Sequence, residues 1–140
     1  MAVDVGEQLS TYSGWLGVAL IVGAASLPLG YRAWLRRRAA PASRPIDVHV
    51  ALGLGAAAVA FAHTALVMTS LGAPSVVSSG MVSLAPASVA FFLLFAHVGV
   101  GLRLRDPRLR DRTGKRRLHL GLGLTIVAMV GAHVVALLRG

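Results

Sequence analysis

A chain of 140 residues that is 56% hydrophobic and 14% charged, with mean hydropathy +0.73, lies outside the balance of a soluble domain and reads as a membrane protein. Its net charge of +9 comes from 14 Lys and Arg that lack the interleaved aromatics or fold pattern of a nucleic-acid binder, so no nucleic-acid partner is expected. With no cysteine there is no disulfide framework, thiolate metal site or iron–sulfur cluster.

The N-terminal segment MAVDVGEQLSTYSG carries Asp4 and Glu7 but no basic residue, so it lacks the start of a secretory signal and the first span is expected to be retained. Charge-free runs follow at Gly14 to Tyr31, Val48 to Ser70, Leu84 to Leu102 and Leu118 to Leu138. Each approaches or exceeds the roughly 20 helical residues that cross a hydrocarbon core. The expected helices are about 14–35, 47–70, 85–104 and 117–138, forming one transmembrane domain over residues 1–140. Pro41 and Pro45 disfavour continuation of the first helix, and Asp47 is the expected N-cap of the second. The connection LGAPSVVSSGMVSLAPAS reads as an outer loop across the mouth of the bundle, while Asp106-Pro107 and Thr113-Gly114 are turn signals. Short connections make sequential helices antiparallel neighbours, and the fold class is an all-α, membrane-spanning four-helix bundle.

The basic residues give an orientation. Arg32, Arg36, Arg37, Arg38 and Arg44 lie between the first and second spans, and Arg103, Arg105, Arg108, Arg110, Arg112, Lys115, Arg116 and Arg117 between the third and fourth. Only Arg139 lies on the other side. The positive-inside bias predicts both basic loops in the cytoplasm and both termini outside, as in a bacterial-type inner membrane. Anionic lipid or an acidic redox partner is the expected neighbour of these loops.

The second and fourth spans are near copies. Asp47 to Val67, DVHVALGLGAAAVAFAHTALV, aligns without a gap on Arg117 to Leu137, RLHLGLGLTIVAMVGAHVVAL. His49, Leu52, Gly53, Leu54, Ala58, Ala62 and His63 match His119, Leu122, Gly123, Leu124, Ala128, Ala132 and His133. Fourteen helical residues turn through about 1400° and rise about 21 Å, so each copy shows two imidazoles on one face at two depths. Duplicated hairpins related by a pseudo-twofold axis along the membrane normal would face His49 with His119 at the inner level and His63 with His133 at the outer level.

An imidazole in hydrocarbon is expensive and defaults to a functional reading. An iron held between two neutral imidazoles uses both lone pairs, while the other ring nitrogen of each donates to a carbonyl or hydroxyl. Haem suits this donor set, since its apolar faces fit an apolar bundle, whereas closed zinc sites want four ligands. The expected cofactors are two haem b, held non-covalently because no cysteine can attach them. Gly53 and Gly123, one turn beyond the inner histidines, would leave room for a ring, and Ala58, Ala60, Ala62, Ala128 and Ala132 would keep the helix faces low. Arg44, Arg116 and Arg117 inside, and Arg139, Tyr12 and Ser70 outside, are rim partners for propionates. His97 has no repeat partner, since a 70-residue offset places Leu27 there, and it is expected to bond or handle protons, or to touch a quinone or another group.

The four histidines on two alternate spans resemble the dihaem b-type membrane cytochromes. The pattern is similar both to the four-helix haem core of cytochrome b from quinol-oxidising respiratory complexes and to the ferric-reductase-like transmembrane domain. The resemblance implies His49, His63, His119 and His133 as axial ligands of haem iron. The direction of the ligand-bearing spans favours the ferric-reductase-like family, which usually carries a flavin and nicotinamide domain. No dinucleotide fingerprint occurs here, so the donor and acceptor, a quinol or a redox protein, are expected on other molecules. The expected function is transmembrane electron transfer through two stacked haems, as a module of a larger system and in a possible oligomer. Two alternatives stand beside it: a membrane oxidoreductase acting on quinol or metal ions at one haem edge, and a non-haem metal-transport or structural membrane protein.

Overall fold

A computed structural model describes residues 5–41, 43–69, 71 and 83–139. Ser70 and most of the expected outer loop lie outside the described residues. Four helices follow in order: α1 (Val5–Leu35), α2 (Arg44–Thr69), α3 (Leu84–Arg103) and α4 (Arg112–Arg139), with no strand among the described residues. All four are long and apolar enough to cross a membrane, and the chain is an integral membrane protein.

The apolar runs located the spans, but local hydrogen bonding sets their ends. Helix α1 starts at Val5 rather than near residue 14, because Glu7, Gln8, Ser10, Thr11 and Ser13 continue the helix beyond its apolar part. Helix α4 starts at Arg112 rather than near 117, since Asp111 is its cap: the Gly114 N–H donates to Asp111 Oδ1 at 2.9 Å. Asp47 does not cap α2. Ser43 precedes that helix and accepts from the N–H groups of Ile46 and Asp47 at 2.9 and 3.0 Å, with Pro45 in the first turn, where its missing N–H is harmless. The Asp47 carboxylate instead meets Arg105 Nη2 at 2.6 Å, joining the start of α2 to the α3–α4 turn. Arg112 closes that turn by donating to the carbonyls of Leu104 and Asp106 at 2.8 and 2.5 Å.

The helices run up, down, up and down around a square. Packing is extensive between α1 and α2 and between α3 and α4, lesser between α2 and α3, and slight between α1 and α4. Among the described residues no Cα of α2 comes within 8 Å of any Cα of α4, so the two copied helices occupy a diagonal. At mid-height Ala57, Leu94 and Ile126 form a buried apolar layer, joined by Ile21, Ala60, Leu93, Val98 and Val130. Ile126 lies midway in sequence between His119 and His133, as Ala56 does between His49 and His63.

Outside, the polarity of a soluble fold is inverted. Phe61, Phe92 and Leu124 are 63%, 71% and 65% exposed, the surface a bilayer would cover. The hydroxyls of Ser26, Ser88 and Thr125 are satisfied within their helices by the carbonyls of Val22, Leu84 and Gly121. Tyr12 and Trp15 near one end of α1, and Tyr31 and Trp34 near the other, are placed as aromatic anchors for the two interfaces.

Candidate functional site

Each of the four matched histidines is anchored in the same way. His49 Nδ1 lies 2.7 Å from the Ala24 carbonyl, and His63 Nδ1 lies 3.0 Å from the Ser10 carbonyl, both on α1. His119 Nδ1 lies 3.2 Å from the His97 carbonyl, and His133 Nδ1 lies 2.8 Å from the Ser83 carbonyl, on or just before α3. A carbonyl only accepts, so Nδ1 carries the proton in all four bonds. In the neutral ring this leaves the Nε2 lone pair available, and among the described residues no hydrogen bond engages it.

The acceptors form a pattern of their own. Ser10 and Ala24 are 14 residues apart, as are Ser83 and His97, which matches the histidine spacing on the facing helix. Between the hairpins the offset of the acceptors is 73 residues, not 70. The position that corresponds to His97 is therefore Ala24, and not Leu27 as the ungapped repeat suggests. The path from acceptor to histidine is three residues longer in the first hairpin, 25 residues from Ala24 to His49 against 22 from His97 to His119. The difference lies within the helices, because α1 runs further past its acceptor than α3 does.

For the three acceptors that lie within helices, the residue four positions on explains why an imidazole can reach the carbonyl; Ser83 precedes α3. Those residues are Gly14, Pro28 and Gly101. Pro28 has no N–H to give the Ala24 carbonyl, so His49 supplies the missing donor. Gly14 and Gly101 leave room for a ring, since a Cβ there would come 3.2 Å from His63 Cε1 and 3.0 Å from His119 Cε1. At the outer level the Nδ1–H of His63 is shared with Ser13 Oγ at 3.1 Å, and that hydroxyl donates to the Ser10 carbonyl at 2.9 Å.

The structure brings His49 and His119 together across the diagonal, their ring centroids 6.0 Å apart and their planes at 84°. Two imidazoles bound on opposite sides of one ion would have centroids about 6.2 Å apart, from a metal–nitrogen bond of about 2.0 Å and a ring radius of about 1.1 Å. His63 and His133 lie within electrostatic range of each other at the outer level. His97 joins the inner level: its ring stacks on His119 with centroids 3.7 Å apart and planes at 16°.

The other expected site residues differ in their placement. Gly53 has open space beside it, with no protein atom within 4 Å of a Cβ built on it, as its expected role requires, whereas Gly123 seats His97, whose Cε1 would be 3.1 Å from such a Cβ. Ala58, Ala62, Ala128 and Ala132 are exposed and do not line the histidine faces, because 100° per residue turns them away from His63 and His133. Ala60 packs against the central layer. Of the rim residues, Arg44, Arg117, Tyr12 and Arg139 are exposed and Arg116 is half-buried. The residues that sequence reasoning missed are Gly14, Pro28 and Gly101. Their signal was present in the chain: a small residue or a proline on the neighbouring span, at a spacing that repeats the histidines.

No protein family, no characterised protein and no solved structure matches this chain. The site must therefore be read from its own chemistry.

Proposed function

We propose that this protein is a dihaem b-type membrane cytochrome that conducts electrons between the two faces of the bilayer. The observation that carries the reading is the four-fold anchoring of Nδ1 on backbone carbonyls, at two levels of one diagonal. Imidazoles that ligate metals characteristically donate their second nitrogen to a carbonyl or carboxylate, which fixes the tautomer and aims the free lone pair. Packing alone gives no reason for four half-buried imidazoles on apolar helices to have their lone pairs prepared in this way.

His49 and His119 would hold the inner haem, and His63 and His133 the outer one. When bound, haem supplies one-electron redox chemistry at a potential set by its ligands and surroundings. The chain supplies the rest. The carbonyls of Ala24, Ser10, His97 and Ser83 orient the four rings, and Gly14 and Gly101 give His63 and His119 their seats. Ala57, Leu94 and Ile126 keep water out of the space between the two levels. The exposed Arg36, Arg37, Arg38, Arg108 and Arg110 put positive charge at the face where the inner pair lies, which electrostatically favours an electron there and attracts an acidic donor or acceptor.

This reading places the basic turns in the cytoplasm and the termini outside, in a bacterial-type inner membrane. The electron donor and acceptor, a quinol or a redox protein, would be separate molecules. The test is the visible spectrum of protein purified after expression with ample haem. Soret and α bands of a reducible b-type cytochrome are expected. A colourless protein that takes up no added haemin, while retaining its helical circular dichroism, would overturn the proposal.

A further inference from the structure

The inner level holds three imidazoles where the outer level holds two. His97 is the additional one, and its Nδ1 is buried without a hydrogen bond. Its backbone already does for His119 what Ala24 does for His49, accepting the Nδ1–H through the carbonyl. Ala24 is therefore the natural control for the His97 side chain. An alanine at the corresponding place anchors an imidazole without help, so the ring of His97 is surplus to anchoring.

That ring has a defined place. It lies nearly parallel to His119 at 3.7 Å, with its Cε1 over Gly123, while the His119 ring lies with its Cε1 over Gly101. His97 and Gly101 are four residues apart on α3, and His119 and Gly123 are four apart on α4. Each helix thus offers a histidine and, one turn on, the glycine that seats the other's histidine. The clasp opposes rotation of the His119 ring, which its 3.2 Å hydrogen bond alone holds weakly. Across the diagonal, His49 is fixed by the shorter 2.7 Å bond with its plane at 84° to that of His119.

We infer that His97 is a positioning residue of the inner site: by stacking on His119 it holds that ring at right angles to His49. The inference rests on the haem reading of the same pair and adds a property to it, namely crossed ligand planes at the inner haem. Crossed imidazole planes leave the iron d orbitals nearly degenerate. The oxidised haem then gives a highly anisotropic low-spin electron paramagnetic resonance signal, whereas nearly parallel planes give an ordinary rhombic one.

The experiment compares oxidised, haem-loaded full-length protein with its His97→Ala, His97→Phe and Gly123→Ala variants, each also in a His63→Leu background to isolate the inner signal. His97→Ala should retain its haem but move the inner resonance toward the rhombic form, with the outer resonance unchanged. His97→Phe, which keeps a flat ring on His119, should restore the wild-type signal. Gly123→Ala, which pushes His97 off its seat, should shift the signal in the same direction as His97→Ala. An unchanged inner resonance in both His97→Ala and Gly123→Ala overturns the inference and leaves the haem reading intact. Loss of the inner haem from both His97→Ala and His97→Phe overturns it as well, by making His97 a ligand. Wild-type protein that binds no haem overturns both.

Discussion

Pro28 and the glycines beneath the histidines act through geometry that a contact map understates. In Pro28→Ala the new N–H would bond the Ala24 carbonyl and compete with His49, so α1 should become a more regular helix while His49 loses its anchor. Loss of such an outer partner typically weakens metal sites by about ten- to a hundredfold, and inner-haem retention measured by haemin titration should fall toward that range. Unchanged retention would show that the carbonyl does not matter. Gly14→Val should deplete the outer haem and Gly101→Val the inner one, because even a Cβ added there would come within 3.2 and 3.0 Å of the respective rings. Gly53→Ala meets no protein atom within 4 Å, so a loss of inner haem in this variant, read from haem content per chain, would report the ring's own need for that space. The four matched histidines were legible because a repeat at fixed spacing announces itself. Their acceptors were not, since a carbonyl has no letter in the sequence, and the residue that uncovers it stands four positions further on.

At the scale of elements, the apolar runs found all four helices but misplaced the starts of α1, α2 and α4, because hydrocarbon length constrains only the apolar part of a helix. Asp111, which caps α4 through the Gly114 N–H, sits in a stretch crowded with arginine where charge obscured the capping signal. Asp111→Ala should lower stability by about 1 kcal/mol, concentrated in faster hydrogen exchange of the first turn of α4. Arg36, which follows α1, adopts φ 49°, a left-handed conformation that favours glycine. Arg36→Gly should therefore raise unfolding stability in detergent by about 1 kcal/mol. The ungapped repeat held between α2 and α4 and slipped by three residues between α1 and α3. That slip is why His97 was matched with Leu27 when its hydrogen-bonding counterpart is Ala24.

For the molecule as a whole, the proposal makes two levels of one diagonal into two separate sites with the layer of Ala57, Leu94 and Ile126 between them. The sites should be independent, because no ligand is shared and the anchors at each level lie 14 residues from those at the other. The measurement that tests this most directly is haem content per chain, by pyridine haemochrome and protein assay, in wild type and the four single His→Leu variants. Two haems in wild type and one in each variant are expected, with His49→Leu and His119→Leu sharing one residual spectrum and potential, and His63→Leu and His133→Leu sharing the other. A single haem in wild type, or equal loss of both haems from every variant with helical content retained, would contradict the pairing of these histidines into an inner and an outer site.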